Sequence, residues 1–182
     1  MLKELNPIRL RATRAADLDF VQTAESAPEN RMFVGQWTVD EHRLALLNSD
    51  ISHQIVEPVS GSQSLGYVIL TGLNNSARSI NLRRLVIVAK GQGYGRATLR
   101  MLKRQVFWER QAHRFWLDVK VDNQRARQLY RQEGWVLEGV LREAHLIGDE
   151  MASVAILAML AMEYRARVAE GLEFDSLPKV LD

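Results

Sequence analysis

The 182-residue sequence contains no cysteine, which excludes disulfide bonds, thiolate metal ligands and a cysteine nucleophile. Its four histidines are scattered along the chain, without the HxxxH or HExxH spacing of a helical zinc site. We therefore do not expect a metal site.

An excess of one charge is also missing. Lys and Arg number 24 against 22 Asp and Glu, so the chain lacks the basic excess typical of a general nucleic-acid-binding protein. Basic residues do cluster between positions 96 and 114 and between 125 and 131. Each cluster is either a solvated helix face or part of a local site for an anionic ligand such as a polyphosphate.

Long apolar runs, repeats and low-complexity tracts are absent as well. The N-terminus, MLKELNPIRLRAT, lacks the apolar stretch of a signal peptide. The most apolar run, residues 151–162, is too short to span a bilayer. We expect one domain over residues 1–182, with a core from about 8 to 164 and a C-terminal tail from 165 to 182. A cytoplasmic location without a membrane partner is the corresponding expectation.

Hydrophobic periodicity predicts a mixture of strands and helices. The predicted strands cover residues 8–13, 52–59, 64–72, 80–88, 114–121, 135–146 and 151–162. The predicted helices cover residues 17–27, 39–48, 93–111 and 124–133, and the start of the tail. Arg83 and Arg84 interrupt the apolar phase of their strand, which predicts a β-bulge there. Because the order is not a strict strand–helix alternation, one mixed sheet with helices on both faces fits best.

Residues 90–100, KGQGYGRATLR, carry glycine at positions 91, 93 and 95, between an apolar strand and a helix. The spacing does not match the GxxxxGK[ST] phosphate loop, and Arg96 stands where the GxGxxG dinucleotide fingerprint needs glycine. The position still favours an anion, because backbone N–H groups and the helix dipole attract negative charge at a helix N-terminus. Arg96 could add a charged contact. The alternative is a tight turn without a ligand.

The segment VIVAKGQGYGRATLRMLKRQVF resembles the acyl-CoA signature of the GNAT family of N-acetyltransferases, [Q/R]xxGxG/A at a strand-to-helix turn. Lys90 stands where Gln or Arg is usual. LDVKVDNQRARQLYRQEGWVLEGVLRE resembles the next strand and helix of that family. LREAHLIGDEMASVAILAMLAMEY resembles its ribosomal-protein alanine acetyltransferase (RimJ/RimL-like) branch. The resemblance is close over residues 64–164 and rests on the order of elements over residues 8–60.

This resemblance implies an α/β (α+β) GNAT fold with a single mixed, mostly antiparallel central sheet of about seven strands. It implies an acetyl-CoA-dependent N-acetyltransferase that uses acetyl-CoA as co-substrate, needs no metal and transfers the acetyl group directly to a primary amine. The acceptor is either a protein N-terminus or a small-molecule amine, such as a polyamine or an amino acid. Nucleic acid is not expected as a partner, and a homodimer is one option for the assembly.

The resemblance also implies the residues that hold coenzyme A. The pantetheine arm would pair with the backbone of Val86 and Val88, and the backbone amides of residues 92–96 would hold the pyrophosphate. Asn123 would contact the pantetheine or act only as a helix cap. Arg127 would lie near the phosphates or be solvated. The implied set is Val86, Ile87, Val88, Gln92, Gly93, Tyr94, Gly95, Arg96, Asn123 and Arg127.

Tyr130 is the catalytic candidate. It shares a helix face with Ala126 and Leu129, so a core tyrosine is the alternative interpretation. The resemblance implies that its hydroxyl lies near the CoA sulfur. Attack of an amine on the thioester expels a thiolate, which a nearby O–H group can protonate.

The general base is less clear from the sequence. Asn81 stands where close relatives often show glutamate, and an asparagine does not accept a proton at neutral pH. Water, backbone carbonyls or another acid, such as Glu25 or Glu138, would then have to assist, with Asn81 orienting a water molecule. Arg31, Phe33 and Trp37 could shape the acceptor pocket, although a helix-to-helix loop with aromatic plugs would look the same.

Two other functions remain open at this point. The missing glutamate is compatible with a non-catalytic acyl-CoA-binding regulatory module on the same fold. The basic helix at residues 96–114 is compatible with an RNA-binding α/β domain, which would show salt-sensitive binding that CoA does not displace.

Overall fold

The computed structural model describes residues 7–147 and 150–173. Seven strands form one open sheet in the order β1-β2-β3-β4-β5-β7-β6. The strands are β1 (Ile8–Ala12), β2 (Ile51–Pro58), β3 (Gly66–Thr71), β4 (Ser79–Ile87), β5 (Arg114–Lys120), β6 (Val136–Ile147) and β7 (Glu150–Leu160). The helices are α1 (Leu18–Ser26), α2 (Pro28–Arg31), α3 (Val39–Leu47), α4 (Tyr94–Arg104), α5 (Gln124–Gln132) and α6 (Ala161–Ala169). Among the described strands only β4 and β5 pair in parallel, which confirms the predicted mixed, mostly antiparallel sheet.

Helices cover both faces of the sheet, and β2 and β3 are therefore buried on both sides. Val68 and Leu70 of β3 belong to the core cluster that contains Leu99 of α4. Tyr67 and Ile69, which alternate with them, belong to the second core cluster together with Val21 of α1. The predicted two-sided packing is therefore confirmed, and α1 and α4 lie on opposite faces of the sheet.

Within residues 7–147 and 150–173, no helix is long and apolar enough to cross a membrane.

Two predicted elements end earlier than the sequence pattern suggests. The helix predicted over residues 93–111 is α-helical only to Arg104 and continues as a π-helical turn over Gln105–Glu109. Val106 and Phe107 are both buried in this wider turn, and Phe107 stacks on Tyr164 with ring centroids 4.9 Å apart. Packing of consecutive side chains into one core thus overrides the regular helical period.

The last predicted strand, over residues 151–162, ends at Leu160. Glu163 accepts a hydrogen bond from the Leu160 N–H at 2.8 Å and so starts α6 at Ala161. The predicted turn at residues 147–150 includes positions 148 and 149, which lie outside the described residues. The start of the tail is helical, as expected, and residues 174–182 lie outside the described residues.

The β-bulge is present where the sequence predicts it. Ile69 pairs with Arg84 and Leu70 pairs with Leu82, so Arg83 is an extra residue on β4. Arg83 is exposed, whereas Leu82 and Arg84 on either side of it are buried. The bulge therefore turns one charged side chain out of the sheet at its centre.

Candidate active site

The two central strands separate halfway along their length. β4 and β5 pair only where Ser79–Asn81 meets Arg114–Trp116, and no strand of the described residues pairs with the rest of β4 on that side. Residues of an antiparallel pair alternate in the side to which their backbone groups point. The Val88 N–H donates to the Leu65 carbonyl at 2.9 Å, on the β3 side. By this alternation, the backbone polar groups of Leu85 and Ile87 face the gap.

The glycine-rich turn ends in an open helix N-terminus. Gly93 is the N-cap of α4, adopts φ of 83° and provides no side-chain cap. The first described hydrogen bond of the helix runs from the Ala97 N–H to the Gly93 carbonyl at 3.0 Å. A Cβ atom at Gly93 would meet no described atom within 4 Å apart from the adjoining backbone, so the backbone conformation, and not lack of space, favours glycine here. The N–H groups of residues 94–96 are thus available to an anion.

A cavity of about 810 Å³, here called the first cavity, joins this helix terminus to the open edge of β4. Lys90 and Arg125 bring two positive charges to it. The Lys90 Nζ donates to Oδ1 of Asn30 at 2.7 Å, which fixes its position. Burial lowers the pKa of Lys90, and the nearby charge of Arg125 lowers it further despite the opposing effect of Glu29. The open N–H groups and these two cations make this end of the cavity suitable for phosphate groups.

Most of the predicted cofactor residues line the first cavity. Those that do are Val86, Ile87, Gly93, Tyr94, Gly95, Arg96 and Asn123. Within the described part of the chain, Val88, Gln92 and Arg127 are not among the residues that line it. Arg127 donates instead to the Val121 carbonyl at 2.6 Å. Oδ1 of Asn123 accepts the Ala126 N–H at 3.1 Å, so this residue caps α5 as well as facing the cavity.

The guanidinium of Arg96 is already engaged by two side chains at the end of α5. It donates to Glu133 and, at 2.6 Å, to Oε1 of Gln132. Glu133 is fully buried and also binds Arg100 and Lys103. Burial alone would raise the pKa of Glu133, but Arg100 and Lys103 lower it. Arg96 therefore belongs to a buried ionic network, and its backbone N–H is the part that faces the anion site.

The sequence did not identify Lys90 and Arg125 as the cations of this cavity. In the sequence, Lys90 is only a departure from the family pattern, and Arg125 is one of several arginines in a basic run. Arg125 and Arg127 are two positions apart on α5, so they lie on different sides of the helix. Nothing local to the sequence tells which of the two sides faces the glycine-rich turn.

A second cavity of about 400 Å³ lies on the other side of the gap. It is lined by the bulged part of β4, by β5 and by residues 144–146 of β6. Phe33, Asn123 and Tyr130 line both cavities, so the two spaces meet beside the Tyr130 side chain. Burial raises the pKa of Tyr130, and the negative charge of Asp118 raises it further. The hydroxyl therefore stays protonated at neutral pH and can serve as a hydrogen-bond donor at the junction.

Of the four residues predicted to contact the acceptor, the structure brings Phe33 to the cavities. Arg31, Trp37 and Asn81 are not among the described residues that line either cavity. The amide of Asn81 lies 3.4 Å from Oγ1 of Thr71 and donates to the Trp116 carbonyl at 3.3 Å. Asn81 thus ties β4 to the strands on both sides, at the point where β4 and β5 separate.

Neither acid named in the sequence analysis is available as a general base. Glu25 is buried, pairs with Arg84 and accepts the Tyr67 hydroxyl at 2.5 Å. Burial alone would raise the pKa of Glu25, but His42, Arg84 and Tyr67 together lower it. Glu138 is exposed, and its ion pair with Arg114 lowers its pKa. Both carboxylates are therefore held as anions in ion pairs, and they are not among the described residues that line the cavities.

The second cavity contains a different acid and a histidine, Asp118 and His145. Nδ1 of His145 lies 3.7 Å from Oδ2 of Asp118, and both side chains remain partly exposed. Asp118 comes from β5 and His145 from β6, which lies beyond β7 in the sheet. No local sequence pattern indicates this pair, because the two residues are far apart in the chain.

The buried His53, close to Glu25, makes the stability of the folded state depend on pH. Nδ1 of His53 is hydrogen-bonded to Oγ1 of Thr13 at 2.8 Å, and Nε2 of His53 is hydrogen-bonded to Nδ1 of His42 at 3.1 Å. Burial, with His42 adding to it, lowers the pKa of His53 from 6.5 to about 4. The folded state thus holds this ring neutral at a pH at which the unfolded chain would bind a proton.

Lowering the pH from 7 to 5 should reduce the free energy of unfolding by about 2 kcal/mol through His53. This contribution is complete above pH 6.5 and is lost as the pH falls toward 4. Urea unfolding at several pH values measures it, and His53→Gln should remove most of the slope between pH 7 and 5. The exposed His113, replaced in the same way, should leave the slope unchanged. A slope that survives in His53→Gln would assign the effect to another group.

Comparisons with known proteins agree with this arrangement. The sequence profile of the acetyltransferase (GNAT) family matches residues 63–135, which include β3, β4, α4, β5 and α5. Together these elements build most of the first cavity.

No group of three or more His, Asp or Glu residues suited to a metal ion occurs within residues 7–147 and 150–173.

Solved structures of the spermidine N-acetyltransferase of Vibrio cholerae share the fold. The structure of that enzyme in complex with CoA and spermine is 23% identical, with a TM-score of 0.78, and the match covers 87% of this chain and 98% of that chain. A mutant of the same enzyme is 25% identical, with a TM-score of 0.77, and covers 88% and 98%. These neighbours are not ribosomal-protein acetyltransferases, so the RimJ/RimL-like branch stays a prediction. Residues 63–135 thus carry the sequence profile of the acetyltransferase (GNAT) family, the whole chain shares the fold of these solved enzymes, and the protein is an acetyl-CoA-dependent N-acetyltransferase that acts on a primary amine.

Proposed function

We propose that acetyl-CoA occupies the first cavity, that the amine enters the second, and that the acetyl group passes between them beside Tyr130. The observation that carries this proposal is that the two cavities share Tyr130 at the gap between β4 and β5. Direct transfer needs the two substrates in contact and does not need an enzyme-bound intermediate. The absence of cysteine agrees with this route.

The first cavity suits coenzyme A at both ends. The N–H groups of residues 94–96, Lys90 and Arg125 would bind the phosphates. The pantetheine amides would pair, as an added strand, with the free edge of β4. We assign this pairing to Leu85 and Ile87, and no longer to Val86 and Val88. A Cβ atom at Gly66 would lie 2.1 Å from the Val86 carbonyl oxygen, so that oxygen faces β3.

Acetyl-CoA supplies the acetyl group as a thioester. The amine nitrogen forms a bond to the carbonyl carbon, the carbon–sulfur bond breaks, and the nitrogen loses a proton. The Tyr130 hydroxyl donates a hydrogen bond to the sulfur as negative charge develops on it, and this bond strengthens in the transition state. The proton from nitrogen would leave toward Asp118 and His145, the acidic and imidazole side chains of the second cavity.

The sequence leaves two kinds of acceptor, a protein N-terminus and a small-molecule amine. The solved neighbours act on spermidine or spermine, which favours a small amine. The RimJ/RimL-like resemblance favours an N-terminus. A homodimer stays a prediction, which the exposed apolar side chains of Val136, Val140 and Leu141 on β6 support.

Release of CoA from acetyl-CoA in the presence of different amines tests the proposed function. Because the chain has no cysteine, a thiol reagent reports only the released CoA. We expect steady turnover with at least one class among diamines, polyamines, amino acids, their amides and peptides with free N-termini. Tight CoA binding by calorimetry, with no turnover on any of these amines, would instead support the non-catalytic binding module.

A further inference from the structure

Arg83 is a charged side chain that the proposed transfer leaves without a role. It is the extra residue of the β4 bulge, it is exposed, and it lines the second cavity. Among the described residues no ion pair involves Arg83. Bulges next to active sites commonly re-aim a side chain toward a ligand. The bulge here directs an uncompensated positive charge into the space for the amine.

The other charges of the second cavity are mostly balanced by neighbours. Arg84 pairs with the buried Glu25, and its guanidinium lies 4.1 Å from the Trp37 ring centroid. Nζ of Lys120 lies 3.4 Å from Oδ2 of Asp122. Asp118, beside His145, is the one carboxylate among the described residues that line this cavity. The cavity thus offers one site for a cation and, at Arg83, a separate site for an anion.

A polyamine does not fit this charge pattern. Spermidine-like molecules carry positive charge along their length, so a second ammonium group would need a second carboxylate. In this cavity it would meet Arg83 or Lys120 instead, and repulsion of like charges would weaken binding. A molecule with an amine at one end and an anion at the other satisfies both Asp118 and Arg83.

We propose that the acceptor is a primary amine that also carries an anionic group, with its nitrogen near Asp118 and its anion on Arg83. This inference rests on the proposed function, because it names the substrate class of the same second cavity. Guanidinium groups bind carboxylates and phosphates through paired hydrogen bonds, so either anion would suit Arg83.

The test compares acceptors of equal length that differ only at the far end. The probes are 5-aminopentanoate, its carboxamide, 1,5-diaminopentane and the matching aminoalkylphosphonate. We expect kcat/KM at least tenfold higher for the carboxylate or the phosphonate than for the carboxamide and the diamine. The better of the two anionic probes tells whether the natural anion is of the carboxylate or the phosphate type.

Variants then assign the preference to Arg83. Arg83→Gln should raise the KM of the anionic probe at least tenfold and leave the carboxamide unchanged, and Arg83→Glu should favour the diamine. Arg165→Gln removes the same charge from an exposed position outside both cavities and should change nothing. Thermal melting of each variant verifies that it is folded.

The outcomes separate this inference from the proposed function. Preference for the diamine, or an equal effect of Arg83→Gln on all probes, overturns the anionic acceptor while the transfer reaction stands. Calorimetric binding of the anionic probe to the CoA-loaded protein without turnover supports the anion site and overturns the transfer reaction. Absence of both binding and turnover overturns both.

Discussion

Replacing Tyr130 with phenylalanine is expected to lower kcat by about 10²- to 10³-fold, because it removes the donor that stabilises charge on the leaving sulfur. The ring stays in place against Trp135, with the ring centroids 5.9 Å apart, so packing should change little. The affinity for CoA should also change little, because the phosphate-binding end of the first cavity is formed by other residues. Steady-state kinetics with the best amine of the panel, together with CoA calorimetry, measure the two effects separately.

Tyr94→Phe provides the matched control. Tyr94 also lines the first cavity, but it lies in the first turn of α4, at the end assigned to the phosphates. The same loss of a hydroxyl there should leave kcat within about twofold. The loss in Tyr130→Phe should also persist at every pH between 6 and 9, because the raised pKa of Tyr130 keeps its hydroxyl protonated throughout. A kcat unchanged in Tyr130→Phe would remove this residue from the chemistry.

Replacing Gly93 with aspartate should weaken CoA binding at least tenfold, which corresponds to about 1.4 kcal/mol. The substitution puts a carboxylate at the open N-terminus of α4. There it would accept hydrogen bonds from the free N–H groups, and its negative charge would repel the pyrophosphate. It also forces a residue with a Cβ atom to keep φ of 83°, a conformation that favours glycine. Titration calorimetry with CoA measures the loss directly.

Gly93→Ala separates these two causes. Alanine imposes the same backbone strain without a charge, and the added Cβ atom lies within 4 Å of no described residue other than those adjoining it in the chain. Its effect on CoA affinity should therefore be smaller than that of aspartate, and the difference reports the electrostatic part. Equal CoA affinity in Gly93→Asp and the unmodified protein would place the pyrophosphate elsewhere.

Features encoded within a few neighbouring residues were predicted well. Asn123 caps α5, and the irregular phase at Arg83 marks the bulge. Such features need only residues that are close in the chain, so a local pattern is sufficient to identify them.

Features that depend on distant partners were missed. The sequence predicts that Arg96 directs its charge at the phosphates, but Glu133, 37 positions later, binds its guanidinium. The sequence allows Glu25 to act as a base, but Arg84, 59 positions away, fixes it as an anion. In each case the side chain has several chemically reasonable roles, and the buried partner that selects one of them is brought near only by folding.

The sequence by itself determined the fold and located the glycine-rich turn of the proposed cofactor site, because this turn and the helix it opens are contiguous in the chain. The proposed acceptor half of the site depends on the tertiary structure alone. Its walls come from the loop at Phe33, the bulge at Arg83, Asp118 on β5 and His145 on β6. No local period relates these four segments. Only the separation of β4 from β5, and the order of strands in the sheet, place their charges around one cavity beside Tyr130.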